Sequence, residues 1–361
     1  MSINEIIIYI MVVFMALGAV DRILGNRFGL GEKFEEGIMA MGSLALSMVG
    51  IIALAPVLAR LLRPVVVPLF SLVGADPAVF AGTILANDMG GASLAMELAQ
   101  TEEAGRFGGL IVGAMMGATV VFTIPVALGI IRPEDRPALA RGVLAGIVTV
   151  PVGAFVGGIA AGFGVGMVAR NLIPILIIAV LIALGLWLAP NGMVKGFQVF
   201  GKIIIIIITV GLAAAIIETL TGIVVIPGMA TLEEGFLTVG SIAIVLAGAF
   251  PLVHAITRLF RKPLMKLGHL LGMNDKAAAG MVATLANNIP MFGMLHEMDE
   301  RGKVINVAFA VSAAFVFGDH LGFTAGFDSA MIFPMIVGKL AGGVSAVAVA
   351  MFMTGKEREH E

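Results

Sequence analysis

Two stretches decide how this sequence is read: 77–98, PAVFAGTILANDMGGASLAMEL, and 276–297, KAAAGMVATLANNIPMFGMLHE. Each is apolar and long enough to cross a bilayer, which takes about 20 residues. Each is also interrupted at its centre, the first by Asn87-Asp88-Met89-Gly90-Gly91 and the second by Asn287-Asn288-Ile289-Pro290. Paired glycines loosen a helix, and a proline removes a backbone N–H. Half of either stretch is about ten residues, or ~15 Å of helix, half the hydrocarbon thickness. Non-helical backbone at that depth is tolerated only where protein or a watery cavity surrounds it.

The two stretches are copies. At an offset of 200, Leu85-Ala86-Asn87 falls on Leu285-Ala286-Asn287, and Glu97 on Glu297. Upstream the offset is 198: Glu35-Glu36-Gly37 falls on Glu233-Glu234-Gly235, Gly42-Ser43 on Gly240-Ser241, and Arg60 and Arg63 on Arg258 and Arg261. Coincident Ile or Ala means little in so apolar a chain, whereas coincident Glu, Arg, Asn and Ser mark a duplication. Duplicated membrane chains are characteristic of secondary transporters, whose substrate site lies between the halves.

The surroundings agree. The chain is 59% hydrophobic and 13% charged, with a mean hydropathy of +1.07; a soluble domain carries about 25% charged residues. Nine stretches read as spans: 3–21, 38–58, 107–131, 141–168, 171–189, 201–223, 238–257, 304–325 and 329–353. The first has no basic region before it and no small-residue cleavage site after it, so it reads as a retained span. A net charge of -2 gives no sign of nucleic-acid binding. Zero cysteines exclude disulfides and thiolate metal sites, and five scattered histidines form no HExxH pattern. No cofactor motif is present.

Lys and Arg positions arbitrate between two topologies. If both interrupted stretches cross, making eleven spans and parallel repeats, the basic residues divide almost evenly between the two sides. If both are re-entrant hairpins, 17 fall on one side and only Arg60, Arg63, Arg106 and Arg170 on the other, with Lys339 inside a span. Basic residues collect on the cytoplasmic side. The expected fold is therefore an all-α polytopic membrane protein, an inverted-repeat transporter with about nine crossing helices and two re-entrant hairpins. Its N-terminus is outside and its C-terminus inside, in the inner membrane. The divisions are 1–135 for the first repeat, 136–196 for additional spans, 197–355 for the second, inverted repeat, and 356–361 for a cytoplasmic tail. Each repeat includes a surface stretch, Arg60–Gly74 and Arg258–Gly272. Hairpin transporters often work from a fixed scaffold, which makes a homodimer the expected assembly.

Ionisable residues at membrane depth are functional candidates by default. Asp88 and Asn87 stand at the first tip and Asn287 and Asn288 at the second, where capping of the broken helix is the structural alternative. Glu297 stands ten residues beyond Asn287, at a hairpin end, with a solvated carboxylate as the alternative. Asp319-His320 lies deep in the span 304–325 as a cation or proton site, or as a mutually satisfied pair. Glu218 near the end of span 201–223 is a weaker candidate, and Lys339 in the last span reads as the partner of a buried acid. Phe292, Phe317 and Phe323 could offer ring faces to a cation. Carboxylates and amides without a metal or nucleophile pattern suit a small organic cation with a hydrogen-bonding group.

The segments Leu85-Ala-Asn-Asp-Met-Gly-Gly91, Leu285-Ala-Asn-Asn-Ile-Pro-Met-Phe292 and Phe317-Gly-Asp-His320 resemble the ethanolamine permease family of bacterial ethanolamine-utilisation operons (EutH), over essentially the whole chain. The resemblance implies import of ethanolamine across the cytoplasmic membrane, and no catalytic residues. Either Asp88 or Asp319 would then hold the ammonium, and Asn87, Asn287 or Asn288 the hydroxyl. Passive facilitation is one option, and coupling to a proton, through His320, or to sodium, through carbonyls at the tips, is the other. Rival readings are a carrier for another small amine or amino acid, a channel, and an intramembrane enzyme, for which Asp319-His320 with Ser312 or Ser329 is the nearest catalytic set.

Overall fold

The computed structural model describes residues 2–355, without the side chains of Pro190, Asn191, Phe260 and Leu264. The expected tail, 356–361, lies outside the described residues. Within them the fold is entirely helical, without strands. Eight helices are long and apolar enough to cross a membrane.

α1 (Ile3–Ile23) opens with a capping box, Ser2 and Glu5 satisfying each other's backbone N–H groups. α2 (Leu30–Ser71) runs 42 residues and carries Pro56, Pro64 and Pro68 inside it. At 1.5 Å per residue it is about 63 Å long, twice the hydrocarbon core. The expected surface stretch 60–74 is therefore the continuation of this helix. The other expected surface stretch, 258–272, likewise continues a long helix, Leu232–Leu270.

The first interrupted stretch folds into α3 (Ala78–Ile84), a single turn at Asn87–Met89 and α4 (Gly91–Leu98). Gly90, at φ +82°, makes the turn between them. α3 and α4 pack against each other. The chain then runs as one helix over Glu102–Ile130, from α5 (Glu102–Arg106) to α6 (Ile124–Ile130), widened to π geometry over Phe107–Gly117 and Thr119–Thr123. π turns recur at functional sites. Here the wide section lies against the first broken segment, and a Cβ on Gly117 would fall 1.9 Å from the Leu85 carbonyl oxygen.

α7 (Arg136–Ile147) and α8 (Val150–Ala160) form the expected span 141–168 in two pieces, stepped at Thr149, whose hydroxyl donates to the carbonyls of Gly146 and Gly342. α9 (Val165–Leu188), α10 (Pro190–Thr221) and α11 (Leu232–Leu270) follow. α2 and α11, which the 198-residue offset superposes in the sequence, share the most extensive helix contact among the described residues.

The second interrupted stretch gives α12 (Asp275–Thr284) and α13 (Ile289–Gly293). The expected span 304–325 is not one helix. It forms α14 (Glu300–Ala313), a break at 314–318, and α15 (Asp319–Phe327). At the break Phe315 adopts φ +63°, costly for a bulky residue. The freed backbone groups find partners in the neighbouring break: Phe315 N–H donates to Thr284 O at 3.1 Å, and Phe317 N–H to Leu285 O at 2.9 Å. A Cβ on Gly318 would lie 2.0 Å from Ala286 O, so only glycine lets the two breaks meet. α16 (Ile332–Gly355) closes the chain.

Candidate functional site

The two ends of each interrupted stretch are tied to each other by hydrogen bonds. The Asp76 carboxylate, just before α3, accepts from Ala78 N–H at 2.9 Å and from Gln100 N–H, just after α4, at 3.0 Å. In the second copy, Asn274 N–H donates to Asp299 at 2.8 Å and the Asn274 side chain donates to Glu297 O at 3.0 Å.

Between the two tips lies a cavity of about 350 Å³, lined by Ser43 and Ser47 of α2, Asp88 and Met89 of the first tip, Phe122, Asn287, and Phe315, Asp319 and His320 of the α14–α15 break. Asp319 opens α15, where a helix N-terminus favours negative charge. A second cavity of about 180 Å³ shares Asn287 and Asp319 and adds Lys33, Glu36 and His254. A third, of about 590 Å³, shares Asn287 and His254 and reaches Arg258 and Arg261. The three form a series by shared lining residues, Asn287 in all of them and His254 in the second and third, with Arg258 and Arg261 at the third. Lys33 and Glu36 form an ion pair beside it.

The sequence-predicted residues divide. Asp88, Asn287, Asp319 and His320 all line the central cavity. Asn287 Oδ1 accepts from Ile289 N–H at 2.8 Å, capping the break while the residue faces the cavity. Asn87 and Asn288 are fully buried beside it and are absent from its lining. Asn288 donates to Thr123 Oγ1 at 3.0 Å, whereas neither polar atom of the Asn87 side chain has a hydrogen-bond partner. Glu297 sits at the surface, paired with Lys276 at 2.6 Å. That ammonium holds the Glu297 carboxyl below its ordinary range.

Asp319 and His320 are not a mutual pair. His320 Nε2 faces Asp88 Oδ1 at 3.8 Å, and His320 Nδ1 meets Lys339 Nζ at 2.9 Å. Lys339 therefore reaches an acid only through an imidazole. Phe292 and Phe323 are buried away from the cavity, and its aromatic wall is Phe122 and Phe315, edge to face at 5.5 Å. Only Ser43 carried a signal in the sequence, through its repeat match to Ser241. Ser47, Phe122 and Phe315 carried none, since their place depends on a helix break without Pro or paired Gly. Among the described residues no group of three His, Asp or Glu side chains comes together as a metal would need.

The sequence model of the family described as "Ethanolamine utilisation protein, EutH" matches residues 3–353. A Listeria monocytogenes protein named "Probable ethanolamine permease EutH" is 66% identical over 99% of this chain and 95% of its own. A Salmonella typhimurium protein of the same name is 54% identical over 99% of this chain and 97% of its own. An uncharacterised Bacillus subtilis protein, YxeR, is 53% identical over 98% of this chain and 96% of its own. No solved structure matches the chain. Matched from end to end of its helical body by that pattern and by these relatives, the chain belongs to the EutH family.

Proposed function

We propose that this protein imports ethanolamine, as its ammonium ion, across the cytoplasmic membrane by alternating access. The observation that carries the reading is the pair of carboxylates, Asp88 and Asp319, facing one cavity between two broken membrane segments. Ethanolamine has an ammonium for a carboxylate and a hydroxyl for the Asn287 amide or the Ser43 and Ser47 hydroxyls. A volume of about 350 Å³ leaves room for a small cation and its waters, at about 30 Å³ each. The relatives named as ethanolamine permeases support the substrate.

The topology that goes with it has two re-entrant hairpins and inverted repeats. A segment whose ends hydrogen-bond to each other, as Asp76 and Gln100 do, returns to its starting side. Three further contacts agree. Arg60 donates to Gly228 O at 3.3 Å, Arg106 pairs with Asp328 at 2.8 Å, and Lys303 with Asp135 at 2.8 Å. Each joins residues on one side when the stretches are hairpins, and on opposite sides when both cross. With the basic-rich side cytoplasmic, the cavity series ending at Arg258 opens inward.

The test is uptake of radiolabelled ethanolamine into proteoliposomes containing purified protein, with and without imposed proton and sodium gradients. Saturable uptake that unlabelled ethanolamine competes away is the expected result, and its gradient dependence names the coupling ion. Uptake no greater than in protein-free liposomes under every gradient would refute the reading.

A further inference from the structure

Lys339 stands in α16 with 1% exposure, inside the membrane-spanning body. An ammonium there is expensive unless paired. It donates to the Ala114 carbonyl in the π-wound helix and meets Nδ1 of His320 at 2.9 Å. An ammonium has donors only, so Nδ1 accepts and the ring proton sits on Nε2. Nε2 faces Asp88 Oδ1 at 3.8 Å. Phe315 packs on the imidazole, ring centres 5.1 Å apart, and limits its rotation. A line of polar groups, ammonium, neutral imidazole and carboxylate, thus runs from α16 through α15 to the tip of the first broken segment.

Asp319 has no such partner. Among the described residues no Lys or Arg lines the central cavity, and in the adjoining one Lys33 is occupied by Glu36. Asp88 and Asp319 therefore share one resident cation, and a net charge in a low-dielectric interior is costly. One positive charge is missing.

We propose that Lys339, acting through His320, is the resident counter-cation of Asp88, and that Asp319 is the carboxylate the transported ammonium neutralises. Lys339 and His320 are then positioning residues: they fix how many cations the empty site takes, which is one. The proposal rests on the transport reading and deepens it by naming the substrate's carboxylate.

The experiment compares ethanolamine uptake by Lys339→Met, Asp88→Asn, Asp319→Asn and the doubles D88N/K339M and D319N/K339M in proteoliposomes. Lys339→Met and Asp88→Asn each leave a buried charge without its partner, and Asp319→Asn leaves the transported ammonium without its carboxylate, so each lowers uptake about a hundredfold. D88N/K339M removes a charge and its counter-charge together and recovers uptake to within about fivefold of the wild type. D319N/K339M stays inactive. A monodisperse D88N/K339M no better than its singles overturns the proposal, as does rescue of D319N by K339M.

A second readout covers the case in which a double variant does not fold. K339M alone lacks one cation, which a proton can replace. Its uptake therefore rises as external pH falls relative to wild type, with Asp88, Asp319 and His320 in the cavity, and Lys33, Glu36 and His254 in the adjoining one, identical in both proteins. A K339M profile that parallels wild type at every pH counts against the proposal. Absence of uptake by the wild type is instead a failure of the transport reading.

Discussion

Asp319 faces the central cavity with no hydrogen bond from any of the described residues, while Glu297, a lesser candidate from the sequence, lies at the surface bound to Lys276. The two carboxylates should respond differently to neutralisation. Asp319→Asn should abolish ethanolamine uptake while leaving protein in the membrane, as quantitative blotting beside the transport assay would record. Glu297→Gln should leave uptake within about twofold, since an exposed ion pair contributes little. Because Lys276 holds the Glu297 carboxyl low, the small stabilisation from that pair is present at neutral pH and is lost as pH falls through the lowered value. Gly318→Ala should cost about 1–3 kcal/mol by forcing the two breaks apart, read as a lower melting temperature in detergent. Four residues of the candidate cavity, Asp88, Asn287, Asp319 and His320, were legible because an ionisable or amide group in an apolar run is rare enough to notice. Phe122 and Phe315 were not, because 22 phenylalanines share one chemistry and only the fold distinguishes them. Lys339 was noticed but assigned to an acid, since sequence cannot place an imidazole between two charges.

At the scale of elements, the interrupted stretches behaved as their punctuation foretold. Asn-Asp-Met-Gly-Gly and Asn-Asn-Ile-Pro each ended one short helix and began another. The break at 314–318 carried no such punctuation. Its cost is met from outside the segment, by the carbonyls of Thr284 and Leu285, so no local pattern encodes it. The surface stretches are continuations of long helices, with Pro64 and Pro68 inside α2 and Pro263 inside α11. The hairpin topology makes a direct prediction. The chain has no cysteine, so single cysteines report sidedness cleanly. Cysteines at Ser71 and Thr101, which bracket the first stretch, should both react with an impermeant maleimide from outside intact cells. Cysteines at Asn274 and Glu300 should both react only in inverted vesicles. Opposite sidedness within either pair would mean that the stretch crosses.

For the whole molecule, α2 and α11 lie together, and the two broken segments line a cavity that shares Asn287 with the one beside Arg258. A cavity reaching one face is what a carrier presents in one of its two states. A channel would also pass ethanolamine, so uptake alone does not separate the two mechanisms. Counterflow does. Proteoliposomes loaded with excess unlabelled ethanolamine and diluted into a trace of labelled ethanolamine should transiently accumulate label above its external concentration, because a carrier's outward-moving sites return occupied. Label that only approaches equilibrium, at the same rate in loaded and unloaded vesicles, would contradict alternating access.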